Sequence, residues 1–232
     1  MFFHPNLPNY GIFSLNEKES YHCVKVLRYG NNSTIRVTDG KGKLAYCKIE
    51  DASEKKIIIK IIKVSQHPKL ISKSIHIAIA PTKNNKRFEW FLEKSVEIGI
   101  NEITPITTKY SERNELNFKR LEKIMVSALK QSKNLYMPNF NEFMNFNEFI
   151  NSNHQEYLKF ICHNDNTNKN YFKNEFIKNK KYTIMVGPEG GFSNEEIEIS
   201  KSSGFLPVLL GDSTYRTETA GILACHTIHL LS

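Results

Sequence analysis

From Ser74 onward, short apolar runs alternate with segments of helical periodicity, and this alternation limits the possible folds more than any other feature of the chain. "IHIAIA" (75–80), "ITPIT" (103–107), "YLKFICH" (157–163), "YTIMVG" (182–187) and "FLPVLLG" (205–211) read as strands. Between them, Phe88, Phe91, Leu92 and Val96 fall at helical spacing, and Gly99 is placed to end that helix. Leu121, Ile124, Met125, Ala128, Leu129 and Ser132 form one stripe of a longer helix. "YFKNEFIKN" (171–179) reads as a helix. Ser193 and Glu196 have capping-box spacing, and Ala220, Leu223, Ala224, Thr227, Ile228 and Leu231 line a final helix. Continuous apolar strands interleaved with helices imply an α/β unit with a mainly parallel sheet, covered on both faces.

The first 65 residues follow a different rule. "NEKESYHCVKVLR" reads as a short helix. "TIRVTDGKGKLAYCKIE" is a hairpin with Asp39-Gly40 and Gly42 at its turn, and "KKIIIKIIKVS" is a third strand. This is the pattern of a small β-barrel with one helix. Residues 66–74 read as a linker, so the expected division is 1–68 and 73–232.

A chain of 232 residues can bury a core of this size. No run approaches the roughly 20 apolar residues of a membrane span, and "MFFHPNLPNYG" does not have the form of a signal peptide. Four scattered cysteines (Cys23, Cys47, Cys162, Cys225) fit reduced thiols in a cytoplasmic protein. Cys225 and His229 are spaced i, i+4, but a zinc site wants four ligands and no second cluster exists, so no metal is expected. The net charge of +8, from 32 basic against 24 acidic residues, favours a polyanionic partner such as nucleic acid. Lys- and Asn-rich stretches such as "NNSTI" and "NFNEFMNFNEF" offer compositional bias as a competing explanation.

Open α/β sheets bind ligands at the carboxyl ends of their strands. Two loops qualify, "VGPEGGF" and "LLGDSTYRTETAG", both Gly-bearing and both leading into helices. There is no G-x-x-x-x-G-K-[ST] and no G-x-G-x-x-G after the first strand, which counts against a P-loop and a Rossmann dinucleotide site. The pair instead presents backbone amides and carbonyls late in the chain, a surface that can read the edge of a flat ring such as adenine. Arg216 stands at the mouth of the last helix, where the helix dipole disfavours a cation. An anionic partner would resolve that conflict.

"MVGPEGGFSNEEI" followed by "VLLGDSTYRTETAGILA" closely resembles the RsmE family of ribosomal RNA methyltransferases, in the SPOUT superfamily of knotted enzymes. "HCVKVLR" resembles the family's H-x-x-x-V-L-R segment, and "PTKNNKRFEWFLEKSVEIGINEITPITTKYSER" its first helix–strand unit, so the likeness spans the chain. Departures are "KQSKN" where "EQSGR" is frequent, Ser213 where an arginine is frequent, and Asp212 where a proline is frequent.

The resemblance implies a PUA-like RNA-binding barrel in 1–68 and a SPOUT methyltransferase domain with a deep trefoil knot in 73–232. Periodicity and spacing say nothing of the knot. It further implies S-adenosylmethionine as methyl donor, a homodimer through the knotted domain, no membrane, and N3-methylation of a uridine in 16S rRNA or the small ribosomal subunit. The donor-binding residues implied are Met185, Val186, Gly187, Pro188, Glu189, Gly190, Gly191, Leu210, Gly211, Tyr215, Arg216, Thr217, Thr219 and Ala220. Arg216 is the expected catalytic cation, facing a developing uridylate. A branched side chain at Gly190 would fill the space of the adenosine. Tyr110, Ser111, Glu112 and Arg113 follow a strand end and could line the same pocket. Lys25, Arg28, Lys83, Lys86, Arg87, Lys130 and Lys133 are the expected RNA contacts, with Lys119, Arg120 and Lys123 on the same long helix as Lys130. A non-catalytic RNA-binding assembly factor and a knotted methyltransferase for another RNA site are the competing readings.

Overall fold

A computed structural model describes residues 1–69, 74–152, 155–164 and 170–232. The centre of the expected linker and the boundary at 73 lie outside the described residues. The chain forms two compact units, Met1–Lys69 with Val126–Met137, and Leu70–Met125 with Pro138–Ser232.

In the first unit, β1 (Phe2–Phe3), β2 (Ile12–Ser14), β3 (Thr34–Thr38), β4 (Lys43–Asp51) and β5 (Ile58–Gln66) form one sheet in the order β1-β3-β4-β5-β2. β1 and β3 are parallel and the other pairs antiparallel. The β3–β4 turn is as expected: Gly40 and Gly42 have φ of 71° and 94°, and the Asp39 carboxylate accepts the Lys41 N–H at 2.7 Å. Alternate residues Ile35, Val37, Cys47, Ile49 and Ile59 point into a buried core with Cys23. The expected helix is a single turn, α1 (Glu17–Tyr21), N-capped by Asn16, that runs on into a π-helical turn at His22–Val26.

The segment Val126–Met137 belongs here too, which a contiguous 1–68 unit omits. The Gly42 N–H donates to the Leu135 carbonyl at 2.9 Å, and the Met137 N–H to that of Gly40 at 2.8 Å. Lys130 Nζ lies 2.6 Å from a Glu19 carboxylate oxygen, both side chains largely buried. Such long-range pairings leave no periodic trace in a sequence.

The second unit is built on a parallel sheet. β6 (Ser74–Ile79), β7 (Glu102–Thr107), β8 (Asn139–Phe140), β10 (Tyr157–Cys162), β11 (Lys181–Val186) and β12 (Leu206–Val208) take the order β12-β10-β11-β6-β7-β8, and the short β9 (Met144–Asn145) also pairs with β7. Ile75, Ile77, Ile79, Ile103, Ile161 and Ile184 are fully buried, as continuous apolar strands require.

α2 (Asn85–Ile98) buries Phe88, Phe91, Leu92 and Val96, with Asn84 as N-cap and Gly99 at φ 104° ending it. Burying Phe91 or Leu92 contributes roughly 1.5–3 kcal/mol each. α3 (Phe118–Ser132) begins in this unit and buries Leu121 and Met125. α4 (Phe146–Asn151) and α5 (Asn194–Ser202) both carry capping boxes, the second from Ser193 and Glu196. α6 (Thr217–Leu231) packs against α2 and β6. Gly221 permits that approach, because a Cβ there would lie 2.5 Å from the Phe91 ring.

Residues 171–179 are not the expected helix. They form one 3-10 turn at Phe172–Asn174, and Asn179 sits at φ 58°. Phe172 and Phe176 pack against the Tyr182 ring, whose hydroxyl bonds the backbone of Ile177. Aromatic burial outweighs the weak helical preference of an Asn- and Lys-rich segment.

Candidate active site

The parallel order places β10 between β11 and β12, so three strands end side by side. After Val186 the chain turns through residues 187–192, tightened by a Gly191 N–H to Pro188 carbonyl bond of 2.9 Å with Gly191 at φ 72°. Ser193 then caps α5. After Val208, residues 209–216 lead into α6. The Thr217 hydroxyl donates to the Gly187 carbonyl at 2.9 Å and ties the start of α6 to the first loop. Asn164 Nδ2 donates to the Thr214 hydroxyl at 3.3 Å, and the Tyr171 hydroxyl to Asp212. That carboxylate raises the Tyr171 phenol above its ordinary pKa.

These loops enclose a cavity of about 340 Å³. Val186, Gly187, Pro188, Glu189, Gly190, Gly191, Leu210, Gly211, Tyr215, Thr217 and Ala220 line it. Met185 is buried in the core beneath, among Ala78, Ile106 and Ile161. Thr219 is half-buried in the first turn of α6, and Arg216 is the exposed N-cap of α6, between two lining residues. Neither is part of the cavity wall among the described residues.

The wall includes residues that sequence reasoning missed. Cys162 ends β10 and His163 and Asn164 follow it, Val208 ends β12, and Phe192, Leu209, Ser213 and Thr214 lie within the two recognised loops without having been singled out. "YLKFICH" is legible as a strand, but its neighbours in the sheet are not, so its end was not placed here. Burial pushes the Cys162 thiol up to about 12, which keeps it protonated at neutral pH.

Tyr110, Ser111, Glu112 and Arg113 do not line the cavity. They brace it from outside. The Arg113 guanidinium donates to the Thr82 and Lys83 carbonyls at 3.2 and 2.7 Å, and the Lys109 N–H to Glu196 at 2.8 Å. A Cβ on Gly190 would meet Tyr110 Cβ at 3.0 Å. The absent side chain therefore makes room for Tyr110, at a residue that also lines the cavity.

The seven expected RNA contacts divide between the two units. Lys25, Arg28, Lys130 and Lys133 belong to the first unit, and Lys83, Lys86 and Arg87 to the second. Lys130 is committed to Glu19, Lys25 lies 2.8 Å from Glu54, and Lys83 lies 2.7 Å from Glu112. Arg87 Nε is 3.7 Å from the buried Glu218. Arg28 and Lys133 are exposed at φ 57° and 60°, and Lys86 is exposed. On α3, Arg120 forms a two-bond pair with Glu89, and Lys119 and Lys123 are exposed.

Backbone polar groups from three loops, apolar side chains of Val186, Phe192, Val208 and Leu209, and a volume of this size suit a small ligand carrying a flat ring and hydroxyls. The donor set fits S-adenosylmethionine.

A cavity at three late strand ends of a parallel sheet, in a chain that opens with a β-rich unit, defines a two-unit α/β protein with a small-molecule site. Residues 69–229 match the model of the RNA methyltransferase domain, and residues 15–62 match that of the RNA methyltransferase PUA domain. The chain is 30% identical to the ribosomal RNA small subunit methyltransferase E of Buchnera aphidicola subsp. Acyrthosiphon pisum, over 91% of this chain and 85% of that one. Among solved structures it is similar to a probable rRNA-methyltransferase from Porphyromonas gingivalis, with a TM-score of 0.91, 35% identity, and coverage of 99% of this chain and 97% of that one. It is also similar to the ribosomal RNA small subunit methyltransferase E from Neisseria gonorrhoeae bound to S-adenosyl methionine, with a TM-score of 0.85, 26% identity, and coverage of 99% and 96%. The chain belongs to the ribosomal RNA small subunit methyltransferase E family.

Proposed function

We propose that this protein transfers a methyl group from S-adenosylmethionine to N3 of one uridine in 16S rRNA. The observation that carries this reading is the cavity itself: loops after β10, β11 and β12 enclose it, Thr217 ties two of them together, and Arg216 stands at its rim.

Residues 187–191 and 209–211 would hold the donor's adenosine with backbone groups. Val186, Phe192 and Ala220 would cover its apolar faces. When bound, the donor supplies an electrophilic methyl on a sulfonium. The protein's task is to align the target nitrogen and to favour its anionic form. N3 of uridine is an imide nitrogen with a delocalised lone pair, so it must lose its proton, or nearly so, to attack. Arg216 faces that developing charge. A cation placed there stabilises that charge as it develops, and alignment supplies much of the remaining rate enhancement. Arg216 cannot accept the proton. The reading requires no protein base, because a stabilised uridylate can form by proton loss to water. N3 lies on the Watson–Crick edge, so the target is unpaired or flipped.

The reading extends to a cytoplasmic homodimer and to a trefoil knot in the second unit. No described helix is long and apolar enough to cross a membrane. Trp90 on α2 and Leu230 on α6 are exposed apolar side chains on two helices that pack together, and they suit a dimer face.

Mapping N3-methyluridine in 16S rRNA from cells with and without the gene tests the function; an unchanged map rejects it. Arg216→Ala should abolish most methyl transfer while donor affinity stays within a few fold. Equal loss of both would remove Arg216 from its role.

A further inference from the structure

One face of the first unit's sheet is unpaired and cationic. Cross-strand register places Arg36 opposite Tyr46, and Tyr46 opposite Lys63. The next outward row runs Thr34, Lys48, Lys60, Ile12 across β3, β4, β5 and β2. Directly paired residues share a face, and the alternating set on the other face, Ile35, Cys47, Ile49 and Ile59, is buried in the core. A register shift after Tyr46 bulges Ile62 outward, where it is 61% exposed beside Lys63. Tyr46 is exposed, and Ile12 and Tyr10 stand exposed at the β2 edge.

Arg36, Lys48, Lys60 and Lys63 form no ion pair among the described residues, unlike Lys25 and Lys130 of the same unit. The carboxylates of β4, Glu50 and Asp51, lie together at the strand's end, beyond Lys48. Four unneutralised cations around an aromatic ring, with exposed apolar side chains alongside, complement a polyanion that also offers flat apolar rings. A folded protein surface offers few such rings, and duplex RNA hides its own.

We propose that this face is a platform for single-stranded RNA, with Tyr46 stacking on one base and Arg36, Lys48, Lys60 and Lys63 contacting the phosphates around it. The proposal deepens the reading of an rRNA substrate and rests on it. Stacking tolerates any base, so the platform adds affinity and holds the strand without reading its sequence.

The test uses the full-length protein and a single-stranded 16S rRNA fragment, with binding measured across a salt series. Tyr46→Ala should weaken RNA binding by about 10-fold, Tyr46→Phe should leave it unchanged, and donor affinity should not move in either. Lys48→Glu with Lys60→Glu should flatten the slope of log K against log salt by about 1–2. All three side chains changed lie on the outer face of the sheet, and thermal unfolding confirms that each variant folds. Wild-type RNA affinity and salt slope in the folded variants would overturn the platform. So would normal binding of naked RNA with weakened binding only to assembled subunits, which would assign the face to a protein contact. A wild-type enzyme that methylates no rRNA would instead reject the proposed function, a result read from turnover and not from binding.

Discussion

The hydroxyl of Thr217 donates to the carbonyl oxygen of Gly187 across 30 residues of chain, at 2.9 Å and out of contact with solvent. It joins the two Gly-bearing loops of the cavity. Thr217→Val keeps the shape and removes the donor, leaving a buried carbonyl unpaired at a cost of about 1–3 kcal/mol. Donor affinity measured by calorimetry should fall about 5- to 100-fold, and Thr217→Ser should restore most of it. A Val variant that binds the donor normally would show that the bond does not shape the cavity.

Gly190 and Tyr110 should behave as a coupled pair. Gly190→Ala places a methyl 3.0 Å from Tyr110 Cβ, so one loop must move. Overpacking of this kind costs about 1–3 kcal/mol. Tyr110→Gly should relieve it, giving a favourable coupling in a double-mutant cycle read by donor affinity and by denaturant unfolding. Additive losses would mean that the methyl acts on the ligand and not through Tyr110.

Gly221→Ala should destabilise the second unit more than a surface glycine change. Its new methyl would lie 2.5 Å from the buried Phe91 ring and 3.1 Å from Ile79. The expected loss is about 1–3 kcal/mol in urea unfolding. A gain, as often follows Gly→Ala in an open helix, would mean that α2 and α6 stand further apart.

Alkaline pH should weaken the fold through its buried thiols. Burial pushes Cys23 to about 11, and Cys47 and Cys162 to about 12. Unfolded thiols ionise near pH ~8.5. Below that value both states are protonated and the thiols leave stability unchanged with pH. From about pH 9 to 11 the unfolded chain holds fewer protons, so stability falls as pH rises. In each Cys→Ser single variant, the slope of unfolding free energy against pH over that window should be shallower by up to one proton. Identical slopes in all three variants and wild type would place the alkaline sensitivity elsewhere.

Local pattern made much of this molecule legible. Strand runs such as "IHIAIA" and helix stripes such as Phe88–Phe91–Leu92–Val96 are short-range consequences of burial, and so are the Ser193 cap and the Gly99 stop. The two loops of the cavity were legible because both are Gly-bearing strand ends that lead into helices, with Arg216 at the mouth of the second. The order β12-β10-β11-β6-β7-β8 was not, since parallel pairing joins strands far apart in the chain. That order decided that residues 162–164 complete the cavity wall. Long-range hydrogen bonds likewise decided that Val126–Met137 joins the first unit. Close packing decided that Gly190 yields its space to Tyr110, and cross-strand register decided that Tyr46 stands among four cations. Periodicity records which side of an element faces the core. Only the folded chain records which distant element waits on that side.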